Sequence, residues 1–315
     1  MNRLHNYKWL FKYASPFLLV TAYLLSTMNI ANAQESTSAW VSSPLGDTII
    51  RPFAHAPYPH ASRENGHIYQ GKKYEAATSY SDSSVGIFVP AGYQPGQVVD
   101  YVVHAHGWNN HVSQVLDHYR LREQLSASGV NAILIVPQGP RDAPDSGGGK
   151  LELDKGAFKE LLTEITDYLV KCRRIHTHTI GKIVLSTHSG GYAVTGAILH
   201  HGGLTDHITD VLLFDSSYGS LDWFVDWVAA GRKRRLVSIF TEHLASENFM
   251  LISSLQARRF PFTTQMVPDM TDEALEKRHA IFLHTRDIEH DEIIQKIDLF
   301  DRFLRTSALP QRKTD

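Results

Sequence analysis

The chain has 315 residues, 43% of them apolar and 10% aromatic, with a formal net charge of −2 at pH 7. That much apolar material suffices for one large α/β core in a single catalytic domain. The nearly balanced charge gives no electrostatic basis for binding nucleic acid or an anionic membrane, and it fits a small-molecule or acyl substrate.

In chain order, Arg3, Lys8 and Lys12 precede the apolar stretch "ASPFLLVTAYLL", and "ANA" ends at Ala33. This layout predicts a secretory signal peptide over 1–33, cut after Ala33, and a periplasmic or secreted product. An apolar run of about twelve residues is shorter than the roughly 20 needed to cross a bilayer, so no stable membrane insertion is expected after processing. Residues 34–75, rich in Ser, Ala, Pro, His and Gly, read as an extended segment packed loosely on a catalytic domain spanning 76–315.

Strands are predicted at 84–90 and 98–107, a helix at 111–128 and a strand at 131–139. The loop 140–150 holds three consecutive glycines but lacks the Gly-Lys-Ser/Thr ending of a phosphate loop, and no cofactor is expected. A helix over 153–172 carries Phe158, Leu161, Leu162, Ile165, Tyr168 and Leu169 on one face, with the single cysteine, Cys172, in a structural position near its end. Then come a strand (181–187), a helix (190–203), a strand (208–215), a helix (221–231) and a strand (234–242). A strand at 280–286 and an amphipathic helix at 290–304 close the chain. Nearly continuous apolar strands separated by helices predict an α/β fold, a mostly parallel sheet covered on both faces. Trp223 and Trp227, four apart, read as the core face of their helix.

Within this series, "THSGG" at 187–191 stands between an apolar strand and an apolar helix. It matches G-x-S-x-G, which holds a serine on a sharp strand-to-helix turn, except that Thr187 replaces the first glycine. "VVHAHGWNN" likewise ends a strand in His-Gly. On these two motifs, residues 84–306 resemble the α/β-hydrolase superfamily. The resemblance implies that Ser189 is a nucleophile and that the backbone N–H groups of Trp108 and Gly190 form an oxyanion hole. It also implies an acid and then a histidine downstream. His290, between the last strand and the last helix, is preferred to His284, which falls within the strand. The acid is Asp215, at the tip of an apolar strand, or alternatively Glu242, which strand counting favours. His106 then belongs to the oxyanion turn, and His188 is the unconstrained residue of the serine turn.

The implied function is an exported serine hydrolase acting on carboxylic esters through an acyl-enzyme. An amidase or peptidase could use the same residues, and a non-catalytic binding protein could keep the same scaffold. The pairs His104/His106 and His176/His178 come without HExxH or a Cys/His cluster, so no metal site is expected.

Overall fold

The computed structural model describes residues 39–313. The expected signal peptide lies outside the described residues. From Trp40 onward the chain forms one compact unit built on a ten-stranded sheet.

The strands are β1 (Val41–Ser43), β2 (Gly46–Pro52), β5 (Ser84–Pro90), β6 (Val99–Ala105), β7 (Ile133–Pro137), β8 (Ile180–His188), β9 (Ile208–Phe214), β10 (Arg235–Phe240), β11 (Phe262–Met266) and β12 (Ala280–His284). A hairpin of β3 (His67–Tyr69) and β4 (Lys72–Tyr74) stands apart. The order in the sheet is β1-β2-β5-β7-β6-β8-β9-β10-β12-β11. The strands β1, β2, β5 and β7 pair antiparallel, and all pairings from β7 to β11 are parallel.

Alternate residues of each apolar strand enter two cores, as a pleated sheet buried on both faces requires. On one face Tyr101, Val103, Ile183 and Leu185 meet helices α3 (Ala157–Lys171), α4 (Tyr192–His201), α5 (Leu221–Ala229) and α6 (Ala245–Ala257). On the other, Val102, Val184, Leu212 and Phe214 meet α1 (Val112–His118), α2 (Leu121–Ser128) and α7 (Leu299–Arg305). Trp227 joins the first core as expected, while Trp223 is half-buried and stacks on His200.

Three expectations are corrected. Residues 40–75 are not loosely packed: β2 pairs along its whole length with β5, and Ile49, Phe53, Ala56 and Tyr58 are buried. The helix expected at 111–128 is two helices, because Arg120 adopts a left-handed conformation (φ 50°) between them. The last helix begins at Leu299, not at residue 290, because Ile297 and Asp298 also take positive φ. A long-range contact supplies its cap: the buried Gln124 Oε1 accepts from the N–H groups of Phe300 (2.9 Å) and Asp301 (3.2 Å). His290 is thereby left in a short 3-10 turn ahead of the helix.

Candidate active site

The C-terminal ends of β6, β8, β9, β10 and β12 converge on one edge, where open α/β sheets build their sites. At the end of β8 the chain turns sharply through Ser189 (φ 52°) into α4. A left-handed backbone at a residue bearing a side chain is strained, and the surroundings hold it there. A Cβ on Gly107 would come 2.7 Å from Ser189 Cβ, so only glycine lets the β6 loop pass beneath the serine. A Cβ on Gly191 would come 2.5 Å from the Ala105 carbonyl oxygen and would overlap Thr187 Oγ1. Thr187 is therefore accommodated by the space that Gly191 leaves open. Its buried hydroxyl donates to Ser216 Oγ (3.2 Å), which donates in turn to the Ser189 carbonyl (2.7 Å).

Asp215 follows β9, immediately beside β8, and is fully buried. Its carboxylate accepts from the Thr241 N–H and hydroxyl (2.9 Å each) and from His290 Nδ1–H (2.7 Å). Burial pushes this carboxyl up, but the hydrogen bonds from His290 and Thr241, with His243 nearby, outweigh it and hold it below its ordinary range. Glu242 goes elsewhere: its largely exposed carboxylate contacts His284 Nε2 at 3.1 Å. Of the two acids considered, the fold brings Asp215 to His290 and leaves Glu242 with His284.

His188 is not an unconstrained residue, contrary to expectation. The His290 carbonyl can only accept, so His188 Nε2–H donates to it (3.0 Å), and Nδ1 accepts from the Tyr119 hydroxyl (3.1 Å). Burial, and then the neighbouring His290, lower the His188 pKa to about 4, so the ring is neutral near pH 7. The His290 turn is thus tied to the last residue of β8. Among the described residues no hydrogen bond joins Ser189 Oγ to His290, whose Nδ1 is taken by Asp215.

Two further side chains complete the rim. The Tyr218 hydroxyl donates to His243 Nε2 (2.7 Å), and His243 Nδ1–H donates to Thr241 Oγ1 (2.6 Å), the same hydroxyl that serves Asp215. Burial and the Asp215 charge push the Tyr218 phenol up to about 12.

The loop after β6 is fixed from several sides. His106 Nδ1–H donates to the Gly107 carbonyl (2.8 Å), and its Nε2 accepts from Gly139 N–H (2.9 Å). Asn109 N–H donates to the Ala143 carbonyl (3.0 Å), and the Asn110 side-chain amide donates to the Trp108 carbonyl (2.9 Å). The Trp108 indole N–H donates to Ser146 Oγ (2.7 Å), directly over Gly190, whose added Cβ would lie 2.7 Å from that indole nitrogen. The Trp108 indole is in this way held over Gly190, next to Ser189 in the chain.

No protein-family model matches the chain, and no curated protein matches it. Solved structures do. A feruloyl esterase module from Clostridium thermocellum superposes with a TM-score of 0.51 at 11% identity, over 89% of this chain and 96% of that one. An S-formylglutathione hydrolase from Agrobacterium tumefaciens gives 0.51 at 10% identity, over 85% and 97%. The chain has the α/β-hydrolase fold.

Among the described residues of this α/β-hydrolase fold, two groups of side chains bring possible metal-ligand atoms within 4.8 Å of one another: His188, His290 and Asp291, and Asp215, His243 and His290. The residues of the second group belong to the hydrogen-bond network described above, and the first adds Asp291 to His188 and His290. The buried Arg235, bonded to Asp210 (2.6 Å), lies at the opposite ends of β9 and β10 and takes no part in the site. Sequence reasoning missed Thr241, His243 and Ser146. Each acts through a partner distant in sequence, and none sits in a motif.

Proposed function

We propose that this chain is an exported serine hydrolase that cleaves carboxylic esters through an acyl-enzyme. The observation that carries the reading is the 2.7 Å bond from His290 Nδ1–H to the buried Asp215, beside a serine strained onto a strand-to-helix turn. In this reading Ser189 Oγ attacks the ester carbonyl carbon while His290 Nε2 takes the hydroxyl proton. Asp215 holds the ring in the tautomer that leaves Nε2 free and stabilises the imidazolium that forms. The N–H groups of Trp108 and Gly190 receive the oxyanion, a contribution of several kcal/mol when the donors are fixed beforehand. The imidazolium returns its proton to the leaving alkoxide, the C–O bond breaks and the alcohol departs. Water, deprotonated by His290, then releases the acid and regenerates Ser189. Export rests on the basic and apolar pattern of residues 1–33.

The test combines a fluorophosphonate with p-nitrophenyl esters. The parent should form a covalent adduct at Ser189 and turn over short esters, and Ser189→Ala should lose both. An intact, folded parent that takes no adduct would favour a binding protein on the same scaffold.

A further inference from the structure

An apolar cavity lies near the turn that carries Ser189: its lining includes Ala105 and His106, which lead into Gly107, where an added Cβ would come 2.7 Å from Ser189 Cβ. Its walls include Pro57, Ala105, Leu151, Val194 and Ile198, and its rim includes Ser146. Val194 and Ile198, four apart, share one face of α4, which the chain enters from the Ser189–Gly191 turn. Ser146 Oγ lies 2.8 Å from the point a Gly190 Cβ would occupy, and Ala105 precedes the His106-Gly107 turn that passes under the serine. The cavity therefore lies between α4 and β6, with Ser146 marking its end towards Gly190. We infer that it is the acyl-binding site of the hydrolase, and that it takes short, unbranched, uncharged acyl groups of about four carbons or fewer.

The inference rests on the ester-hydrolase reading of Ser189. In that reading the leaving oxygen faces His290 and the carbonyl oxygen faces Trp108 and Gly190. The acyl chain is left with the remaining direction, on the Gly190 side. The volume of the cavity is about 40 Å³. On that scale one water needs roughly 10–15 Å³, so there is room for about three or four heavy atoms. A longer chain would have to displace the floor, and the floor is fastened. Lys150 N–H donates to the Pro57 carbonyl (2.9 Å), the Tyr58 hydroxyl donates to the Gly147 carbonyl (2.5 Å), and Ser62 donates to the Gly148 carbonyl. Arg63 holds Asp145 at 2.8 Å in the same loop. The N-terminal segment, not the hydrolase sheet, thus sets the length limit. The acidic group in the wall, Glu152, is already engaged with the Gly148 N–H, and a carboxylate-bearing acyl group would meet no cation in the lining.

The experiment measures kcat/KM for p-nitrophenyl acetate, butyrate, hexanoate and octanoate with the full chain, alongside fluorophosphonate labelling and a thermal melt. Each methylene that finds apolar room is worth roughly fourfold, and one that does not is worth nothing or less. The parent should favour butyrate over octanoate by tenfold or more. Ile198→Ala, with Leu151→Ala as a second enlarging variant should the first fail to fold, should raise the hexanoate-to-butyrate ratio about tenfold. Val194→Phe, which fills the cavity, should lower the butyrate-to-acetate ratio by a similar factor. A parent that labels at Ser189 but hydrolyses octanoate as well as butyrate, or chain-length ratios unmoved in the folded variants, would overturn the acyl site and leave the hydrolase reading standing. A parent that neither labels nor turns over any ester would overturn both.

Discussion

Replacing Asp215 by Asn is the sharpest probe of the proposed chemistry, because it changes one atom of a buried group. Bridged by a 2.7 Å hydrogen bond, the charge centres of an Asp215 carboxylate and a His290 imidazolium stand about 4 Å apart. At an effective dielectric constant of about 20, their attraction is about 4 kcal/mol. An amide removes that term when the imidazolium forms, which predicts a fall in kcat of about 10³-fold. The amide NH₂ also prefers to donate to Nδ1, which would move the ring proton to Nε2 and leave no acceptor for the Ser189 proton. Glu242→Gln is the control. Its carboxylate is largely exposed and its contact with His284 is a surface pair, worth at most about 1 kcal/mol, so kcat should stay within about threefold of the parent. Steady-state kinetics on p-nitrophenyl butyrate, with thermal melts to confirm folding, decide the matter. If Asp215→Asn keeps a third of the parental kcat, or Glu242→Gln loses more than it does, the assignment of the acid is wrong.

His188→Phe keeps the ring volume but leaves the His290 carbonyl and the Tyr119 hydroxyl without their partner. About 1–3 kcal/mol of stability should be lost, and kcat should fall about tenfold with KM little changed, because the base is misplaced rather than removed; steady-state kinetics and denaturant titration check both. The same residue makes a pH prediction. Its folded pKa of about 4 lies below the ordinary value of 6.5, so the unfolded chain binds more protons between those pH values. The stabilising contribution is complete above pH 6.5 and is lost as pH falls towards 4, by about 2 kcal/mol at pH 5. His104 and His106, both lowered by burial, act in the same direction. Unfolding free energies at pH 7 and pH 5 should therefore differ by about 2 kcal/mol less in His188→Phe than in the parent. An equal acid loss in both proteins would refute the neutral, buried role of this ring.

Much of the architecture is legible in the chain because it follows local periodicity. Runs such as "IVLS" and "VLLF" are apolar at every position, and only strands covered on both faces need that. Ser189 is legible for the same reason, since its motif lies within five consecutive residues between a strand and a helix. The comparison of Asp215 with Glu242 could not be decided that way. Both acids end apolar strands, and counting strands pointed to the wrong one as the partner of His290. What separates them is that β9 lies beside β8 and ends in a buried carboxylate, whereas the end of β10 turns Glu242 outward and offers Thr241 inward.

The sequence by itself determined the layers, the order of most elements and the serine turn, because each depends on the polarity and backbone freedom of neighbouring residues. Only the tertiary structure decided the surroundings of that turn. Thr187 fits because Gly191, on the other side of the bend, has no Cβ. His290 is oriented by Asp215, 75 residues away, and by His188, 102 residues away. The N-terminal segment closes a cavity under a loop it meets nearly 90 residues later. Contacts of that range leave no periodic trace in the chain, because they depend on where the sheet brings its strand ends together.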